Sequence, residues 1–349
     1  MANSYAAESE MTNGAADPPS RRSSSSWNPW SKDSLERVWL IVVWALVVLL
    51  FGTLRPDTFL TVGNFSSLLG SNAVLAVLAL GLIVVLRTGD FDLSIAATMV
   101  TASVVLGTLA ASHHVSLILA IVVALAVGAA VGAVNALIVL VLGVDSFITT
   151  LGMGTLLEGI ALWISGSQTI TGIPRSLVNW VVVYRLWSIP LEFYYAFALM
   201  VIIWYVFRYT AVGRRLLLVG KNREVSRLSG VRVARVRFAA FVAAGVVAAA
   251  AGVIYAGTSG SADPTSGISY LLPAYAAAFL GATCIEIGDF NPIGTMVAVY
   301  FLVTGVSGLA IIGVPSFVQQ IFYGSALIIA VAGSQFVARA KARGRLVAG

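Results

Sequence analysis

Long apolar runs, separated by short polar segments, follow one another along most of the chain. A run of roughly 20 mostly apolar residues is long enough to cross a lipid bilayer as a helix. The pattern therefore predicts an all-α integral membrane protein with about ten spans, give or take one. The predicted spans lie near residues 38–54, 66–87, 94–112, 115–142, 146–166, 191–208, 237–257, 271–286, 292–313 and 318–337.

Composition supports the membrane assignment and excludes other classes. Of 349 residues, 59% are apolar and 10% are charged, whereas a soluble domain carries roughly 25% charged residues. A chain so poor in charge cannot cover a surface that faces water. The single cysteine, Cys284, excludes an internal disulfide and a cysteine metal cluster. His113 and His114 lie side by side in a predicted loop, and adjacent residues would point apart on a helix, which argues against a shared metal site.

The two ends of the chain differ from the middle. Residues 1–35 are polar and rich in Ser, Asn and Pro, so we expect a disordered cytoplasmic tail. The first apolar run begins near Val38 and predicts an uncleaved anchor rather than a signal peptide. Residues 36–338 then form the membrane domain, and residues 339–349 form a basic cytoplasmic tail.

The distribution of positive charge predicts the orientation of the spans. With ten spans and both termini in the cytoplasm, 18 of the 21 Lys and Arg residues fall on the inside. Only Arg55, Arg175 and Arg185 fall outside. Cytoplasmic loops carry an excess of Lys and Arg, so this split favours the predicted topology. The basic pI follows from membrane orientation, and no nucleic-acid partner is expected.

Small residues and a weak internal repeat indicate how the spans pack. Gly128 and Gly132 are four residues apart, as are Gly245 and Ala249, a spacing that lets helix backbones approach closely in lipid. The tripeptide Gly-Asp-Phe occurs at 89–91 and again at 288–290. Transporters often contain duplicated halves, but so short a repeat is equally compatible with chance.

The longest polar stretch inside the membrane domain runs over residues 208–237 and carries nine of the 21 positive charges. It contains the signature of a short helix. Asn222 can cap the N-terminus, Glu224 lies in the first turn, where the helix dipole favours an anion, and Gly230 suits the C-terminal stop. We predict a helix between Asn222 and Gly230 on the cytoplasmic side.

Val225 and Leu228 are three residues apart and lie on one face of that helix. Such an apolar ridge can dock into a groove of a partner protein. The alternative is a loop that only sets orientation by lying on anionic headgroups. The nearby segment from Gly213 to Lys221 is not a nucleotide loop, because six residues separate its glycines and Asn follows the Lys.

Four motifs are informative in combination. They read TGDFDLS at 88–94, FITTLG at 147–152, GRRLLLVGKNREVSRLSGVRV at 213–233 and ADPTSG at 262–267, the last followed by LG at 280–281. In order and spacing they resemble the permeases of bacterial ABC importers for ribose, xylose, galactose and similar monosaccharides, over roughly residues 38–337. The family-motif positions are Asp90, Asp92, Ser94, Gly152, Pro264, Gly267 and Gly281.

The resemblance implies a type II ABC importer-like bundle of ten helices in the inner membrane. It also implies a second permease subunit, identical or paralogous, two ABC ATP-binding subunits that carry ATP-Mg, and a periplasmic or lipid-anchored solute-binding protein. This chain would then bind no cofactor and catalyse no reaction itself. The short helix would be the coupling helix, with Asn222, Arg223, Glu224, Val225, Arg227, Leu228 and Gly230 acting on the ATPase.

Departures from the family pattern leave the solute open. Asp90 replaces the second glycine of the family's G-G-x-D-L-S, and Ala282 replaces the last glycine of its L-G-G. The family's G-G-R-G-S stretch has no arginine here. The solute can therefore be a monosaccharide or another polar solute such as a polyol or an autoinducer sugar.

Acidic residues in or near the spans are candidates for function, because a charge at membrane depth is costly. We expect Asp90, Asp92, Asp145 and Glu286 at helix ends near water, with Asp92 capping the next helix. Glu158 is the deepest, and it either lines a polar path or bonds within the bundle. The predicted lining of the path is Phe147, Thr149, Thr150, Met153 and Glu158.

Two classes of transporter remain. The leading hypothesis is a passive ABC permease whose gate is worked by separate ATPases. The alternative is an ion-coupled secondary transporter, which needs ionisable groups at mid-span. Only Glu158 qualifies well, which argues against it. An intramembrane enzyme ranks third, because the chain has no His-Glu-x-x-His or Gly-x-Ser-x-Gly motif.

Overall fold

The computed structural model describes residues 32–347, with side chains described over 37–332. The predicted tail over residues 1–35 therefore lies outside the described residues except for its last four, which begin the first helix. The helices are α1 (Lys32–Leu54), α2 (Pro56–Phe59), α3 (Val62–Ser71), α4 (Ala73–Leu86), α5 (Ile95–Gly107), α6 (Leu117–Val141), α7 (Ser146–Ser165), α8 (Arg175–Val178), α9 (Leu191–Tyr209), α10 (Ala211–Lys221), α11 (Arg223–Leu228), α12 (Val233–Ser259), α13 (Ile268–Gly281), α14 (Pro292–Ile311) and α15 (Phe317–Val347).

Short irregular elements complete the described chain. A π-helical turn, Thr108–Ser112, extends α5, and another, Asn179–Val183, extends α8. Four two-residue strands form two antiparallel pairs. One pair precedes α9 and the other includes the strand that follows α12, so both lie at the ends of these helices opposite to residues 208–237. The strands are β1 (Ile170–Thr171), β2 (Arg185–Leu186), β3 (Ile189–Pro190) and β4 (Ser261–Ala262), with β1 paired to β4 and β2 to β3.

Eight helical segments among the described residues are long and apolar enough to cross a membrane. They coincide with eight of the predicted spans, and the long stretch 115–142 is a single helix of 25 residues. At the two remaining predicted spans the structure has shorter apolar helices, Ile268–Gly281 and Phe317–Ala332. The chain is a multi-pass helical membrane protein.

Helix α4 forms the centre of the bundle. All of its 14 residues are buried, as expected of a helix that is apolar on every side. It packs against α9, α12, α13 and α14. By contrast, α1 and α6 expose large apolar side chains such as Leu49 and Ile118, which is the surface that lipid would cover.

Helices α6 and α12 cross at the small residues that the sequence singled out. A side-chain carbon at Gly128 would lie 2.2 Å from the carbonyl oxygen of Gly245, and one at Gly245 would lie 2.1 Å from that of Gly128. At Gly132 the nearest atom would be the carbonyl oxygen of Phe241, at 2.3 Å. The predicted packing role of this spacing is confirmed, since no larger residue fits.

The two copies of Gly-Asp-Phe lie in two turns at one end of the bundle. The first turn joins α4 to α5 and the second joins α13 to α14. Gly89 and Gly288 both have a left-handed φ, at 75° and 88°, which favours glycine. The Arg87 guanidinium joins the turns by donating a hydrogen bond of 2.8 Å to the carbonyl oxygen of Phe290. Residues 208–237 lie at the same end, which we call the basic end.

Candidate functional site

The basic segment, residues 208–237, folds back on the bundle through α10. Gly213 lies against the backbone of Phe207 in α9, where a side-chain carbon would come within 2.4 Å of its Cα. A side-chain carbon at Gly220 would lie 2.1 Å from the carbonyl oxygen of Arg87. Leu216 and Val219 of α10 are buried. These close contacts hold α10 against α9 and against the turn that follows α4.

Helix α11 follows and has the caps that the sequence predicts. The Asn222 side-chain oxygen accepts hydrogen bonds of 3.0 Å from the backbone N–H groups of Glu224 and Val225. At the other end Gly230 adopts a left-handed φ of 80°. The N–H of Val231 donates to the carbonyl oxygen of Ser226 at 3.0 Å. The predicted helix between Asn222 and Gly230 is thereby confirmed.

One face of α11 points away from the bundle. Val225 is 57% exposed and Leu228 is 78% exposed, whereas Ser226 is buried. Glu224 and Arg227 form an ion pair of 2.6 Å on the helix surface. The exposed face is therefore an apolar ridge beside a neutralised charge pair, a surface suited to a groove in another protein.

Asp90 connects α11 and α12 to the turn after α4. Its Oδ2 accepts from Nε of Arg237 at 2.7 Å, and its Oδ1 accepts from Nη2 of Arg237 at 2.6 Å. Nη2 of Arg223 in α11 also donates to Oδ1, at 2.9 Å, and the Thr88 hydroxyl donates to Oδ2 at 3.0 Å. Four hydrogen bonds, three of them from arginines, thus hold one carboxylate.

The expectation that Asp90 lies near water is wrong, because its side chain is 1% exposed. Burial of this charge is tolerated because two guanidinium groups and a hydroxyl replace water. Asp145 and Glu286 do lie nearer to solvent. Asp145 is exposed and caps α7 by accepting from the N–H of Phe147 at 2.8 Å, and Glu286 lies 3.8 Å from Arg208.

Asp92 is buried as well, contrary to the expectation of a helix end near water. Its Oδ1 accepts from the backbone N–H of Ser94 at 3.0 Å and from the Ser94 hydroxyl at 2.6 Å. Burial raises the pKa of Asp92 to about 6, against these hydrogen bonds, which lower it. Asp92 does not cap α5. The N-cap residue of that helix is Ser94, whose N–H and hydroxyl both donate to the Asp92 carboxylate. The Ser94 hydroxyl also accepts from Nδ2 of Asn135, at 2.8 Å.

The same turn is bonded to α7. The Ser146 hydroxyl accepts from the N–H of Phe91 at 3.1 Å, and the Thr150 hydroxyl accepts from the N–H of Leu93 at 3.0 Å. The rings of Phe91 and Phe147 pack edge to face with centroids 6.3 Å apart. Residues 88–94, which we call the central turn, therefore contact both α11 and α7.

The structure divides the predicted lining of the path between two sides of α7. Phe147 and Glu158 lie on the exposed side. Thr149 and Thr150 are buried, and Thr150 donates to the carbonyl oxygen of Ser146 at 2.7 Å. Met153 packs into an apolar cluster inside the bundle. The structure therefore brings only Phe147 and Glu158 of this set to a free surface of the chain.

The remaining motif positions have three different surroundings. Gly152 is exposed on α7. Gly281 ends α13 at a close crossing with α14, where a side-chain carbon would lie 2.5 Å from the backbone nitrogen of Thr295. Pro264 and Gly267 are buried in the non-helical segment before α13.

Among the described residues, two buried charged residues, Arg87 and Glu192, and the partly buried Arg237 were not among the predicted site residues. Arg87 is stacked 4.2 Å from the Phe207 ring centroid. Arg237 holds Asp90. Glu192 is 2% exposed at the start of α9 and accepts a hydrogen bond from the Thr258 hydroxyl. Both arginines directly adjoin an apolar run, and the preference of Lys and Arg for the cytoplasmic ends of spans is enough to explain an arginine at such a position. Glu192 directly follows Pro190 and Leu191. A proline is common at the start of a helix, and this is the sequence signal that Glu192 lies at the start of a span.

Comparison with known proteins agrees with the multi-pass helical bundle. A profile of the family described as branched-chain amino acid transport system / permease component matches residues 64–331. The ribose import permease of Escherichia coli (strain K12) is 31% identical and covers 86% of this chain and 93% of its own length. That of Bacillus subtilis (strain 168) is 34% identical, covering 82% and 88%. The autoinducer 2 import permease LsrD of Photorhabdus laumondii is 30% identical, covering 82% and 87%.

No solved structure matches the chain. The fold and the relatives together define a transport permease of the membrane. The chain belongs to this permease family, among the ABC transporter permeases of bacterial monosaccharide importers.

Proposed function

We propose that this chain is the membrane-spanning subunit of an ATP-driven ABC importer. It moves a monosaccharide or a related polar solute, such as a polyol or an autoinducer sugar, across the inner membrane after delivery by an external solute-binding protein. The observation that carries the proposal is α11, a capped helix that presents the ridge of Val225 and Leu228 at the basic end. A transporter powered by its own ion gradient has no need of such a docking helix.

The proposed assembly contains a second permease subunit, identical or paralogous, and two ATP-binding subunits that hydrolyse ATP-Mg. Both termini and the basic end face the cytoplasm. The excess of Lys and Arg at this end supports that orientation. In that orientation, cytoplasmic ATPases can reach α11, while the strand pairs β1–β4 and β2–β3 face the binding protein.

The contacts of the central turn supply a route for coupling. Arg223 binds Asp90 at 2.9 Å, and the backbone of the same turn binds Ser146 and Thr150 of α7. When ATP closes the ATPase dimer and moves α11, the turn carries that movement to α7. A change from 1:99 to 99:1 between two gate states needs about 5.5 kcal/mol of differential stabilisation.

The solute class is supported by the relatives and by the chain's chemistry. Two of the relatives are ribose import permeases and one is an autoinducer 2 import permease. Ribose is a polar, uncharged sugar, which suits a bundle with few charges at mid-span. Selection among such solutes would rest largely with the external binding protein.

The energy source is the sharpest test of this function. Uptake of radiolabelled D-ribose is measured in cells that express the chain with its neighbouring transport subunits, after ATP depletion and, separately, after a protonophore. The proposal expects uptake to stop on ATP depletion and to survive loss of the proton gradient while ATP is maintained. The reverse result would establish the ion-coupled secondary transporter.

A further inference from the structure

Residues 261–267, which we call the re-entrant segment, precede α13 without forming a helix. β4 begins the segment and pairs with β1, with Ala262 opposite Ile170. The segment ends at Gly267, and α13 then starts at Ile268. Because α13 has only 14 residues, a helix of about 21 Å, it does not reach across a bilayer by itself.

The re-entrant segment descends along α5. A side-chain carbon at Gly107 would lie 3.2 Å from Cβ of Ala262. One at Gly267 would lie 3.2 Å from the carbonyl oxygen of Ala96 and 3.0 Å from a methyl group of Val100. The rise from residue 100 to residue 107 of a helix is about 10 Å. The segment therefore runs about 10 Å along the Ile95–Ser112 span, from the level of Gly107 to the level of Val100.

Non-helical backbone at this depth is tolerated only where protein covers it or where it lines a water-filled cavity. This segment and the first turn of α13 carry polar side chains that the described part of the chain covers only in part or not at all. Thr265 and the following Ser269 are exposed, and Asp263 and Ser266 are half-buried. Asp263 Oδ1 accepts from the N–H of Thr265 at 2.9 Å and from its hydroxyl at 2.8 Å. A carboxylate and exposed hydroxyls facing lipid would be costly, so this surface indicates water.

The re-entrant segment and α7 lie on neighbouring faces of α5. Ala96 and Val100 face the segment. Their neighbours in sequence face α7, since the Thr101 hydroxyl lies 3.4 Å from the carbonyl oxygen of Leu157. Successive residues of a helix are about 100° apart around its axis, so the re-entrant segment and α7 contact adjacent faces of α5. Glu158, next to Leu157 and exposed, thus lies near the depth of the segment.

We infer that the re-entrant segment and the exposed face of α7 line one polar passage, and that Asp263, Thr265 and Ser269 form a half-depth site for a polyhydroxylated solute. A carboxylate accepts hydrogen bonds from sugar hydroxyls, and serine and threonine hydroxyls both donate and accept. Because the proposed sugar is neutral, the site needs no further charged side chain to balance a charge on the solute. The inference rests on the proposed function for its solute class.

Thiol labelling tests the passage without knowledge of the solute. The sole cysteine, Cys284, is buried, so an introduced cysteine gives the main signal. Thr265→Cys, Ser269→Cys and, on α7, Thr155→Cys are treated with a water-soluble charged maleimide in nanodiscs. The control is Ala130→Cys on the exposed face of α6. The three passage positions are expected to react at least about tenfold faster than the control, because thiols ionise in water but not in lipid.

Equal, slow labelling at Thr265→Cys, Ser269→Cys and Ala130→Cys would overturn the passage. Labelling at the first two but not at Thr155→Cys would overturn the shared lining with α7. Either result leaves the energy source of uptake untouched, so it is separable from failure of the proposed function. Thr265 in the segment and Ser269 in the first turn of α13 give two independent positions, which keeps the test decisive if one variant does not fold.

Uptake of two probes tests the site itself. D-ribose and 2-deoxy-D-ribose differ by one hydroxyl and are compared in wild type, in Asp263→Asn and in Asp57→Asn, an exposed acid in α2. With the same binding protein present, Asp263→Asn is expected to raise KM for D-ribose and to change the preference between the two sugars severalfold. Asp57→Asn should match wild type. A uniform loss of kcat in Asp263→Asn, with the preference unchanged, would mean a structural role and would overturn the site.

Discussion

Asp90 and Arg237 form a two-pronged ion pair between the central turn and the start of α12, with hydrogen bonds of 2.7 and 2.6 Å. The matched fork of guanidinium and carboxylate fixes the relative orientation of two elements that are 147 residues apart in sequence. Because Asp90 is nearly inaccessible to water, the pair is a structural constraint and not a surface contact.

Removing Arg237 should therefore destabilise the bundle. In Arg237→Ala the buried carboxylate loses two of its hydrogen bonds, and breaking a buried pair costs about 3–5 kcal/mol. We expect the low end of that range, because Arg223 and Thr88 still hold Asp90. The measurement is the fraction of monodisperse protein that survives heating in detergent, read by gel filtration. Recovery in the double variant Asp90→Asn with Arg237→Ala is expected. Unchanged heat resistance of Arg237→Ala would contradict the constraint.

Arg223 should matter for coupling more than for folding. It reaches Asp90 and the carbonyl oxygen of Gly89 through one nitrogen, and Arg237 remains when it is removed. Arg223→Gln is expected to lower solute moved per ATP hydrolysed by at least about fivefold, as for typical coupling energies. Arg223→Lys should restore coupling, because a single cationic donor suffices.

The matched control is Arg235→Gln, an exposed arginine in the same basic segment. It should keep the wild-type ratio of transport to hydrolysis. If Arg223→Gln shows the same ratio as Arg235→Gln in the reconstituted complex, the central turn does not relay the movement of α11.

The crossing of α6 and α12 predicts a steric effect. Gly128→Ala places a carbon 2.2 Å from the carbonyl oxygen of Gly245, so the helices must separate, at a cost of about 1–3 kcal/mol. Gly159→Ala on α7 meets nothing within 4 Å and serves as the control. Folded yield in detergent should fall for the first variant only. Equal yields would mean that the crossing is looser than these distances imply.

Glu158 is expected to act in transport and not in assembly. Glu158→Gln keeps the shape of the side chain but removes its charge from the exposed face of α7. We predict about a tenfold slower uptake, the effect of roughly 1.4 kcal/mol, with an unchanged amount of assembled complex. Wild-type uptake kinetics in this variant would exclude Glu158 from the path.

Hydropathy predicts the long helices, and the capping residues at its two ends predict the short helix α11. The apolar runs predict the long helices because length and composition decide what can cross a bilayer. The caps at Asn222 and Gly230 predict α11, since they act within a few residues. The spacing of Gly128 and Gly132 predicts close packing for the same local reason.

Other features depend on contacts that sequence does not record. The place of Asp90 at a helix end predicts water around it, and its partner Arg237, 147 residues away, cannot be read from the local sequence. The side of α7 that faces inward cannot be read from sequence, since its threonines lie on more than one side of the helix and a threonine hydroxyl can bond its own backbone as well as a distant partner. Thr150 is therefore turned toward the central turn while Glu158 is exposed. The depth of the re-entrant segment was hidden for a further reason: its polar residues read as an ordinary loop.

The most direct test of the account is affinity purification of the complex from native membranes in mild detergent, with mass spectrometry of the proteins that co-purify. We predict that an ATP-binding subunit accompanies the wild type and the conservative variant Val225→Leu with Leu228→Met. The same subunit should be lost from Val225→Asp with Leu228→Asp, which destroys the ridge on α11. Recovery of this chain without an ATP-binding subunit, or an undiminished amount of that subunit in the aspartate variant, would contradict the account.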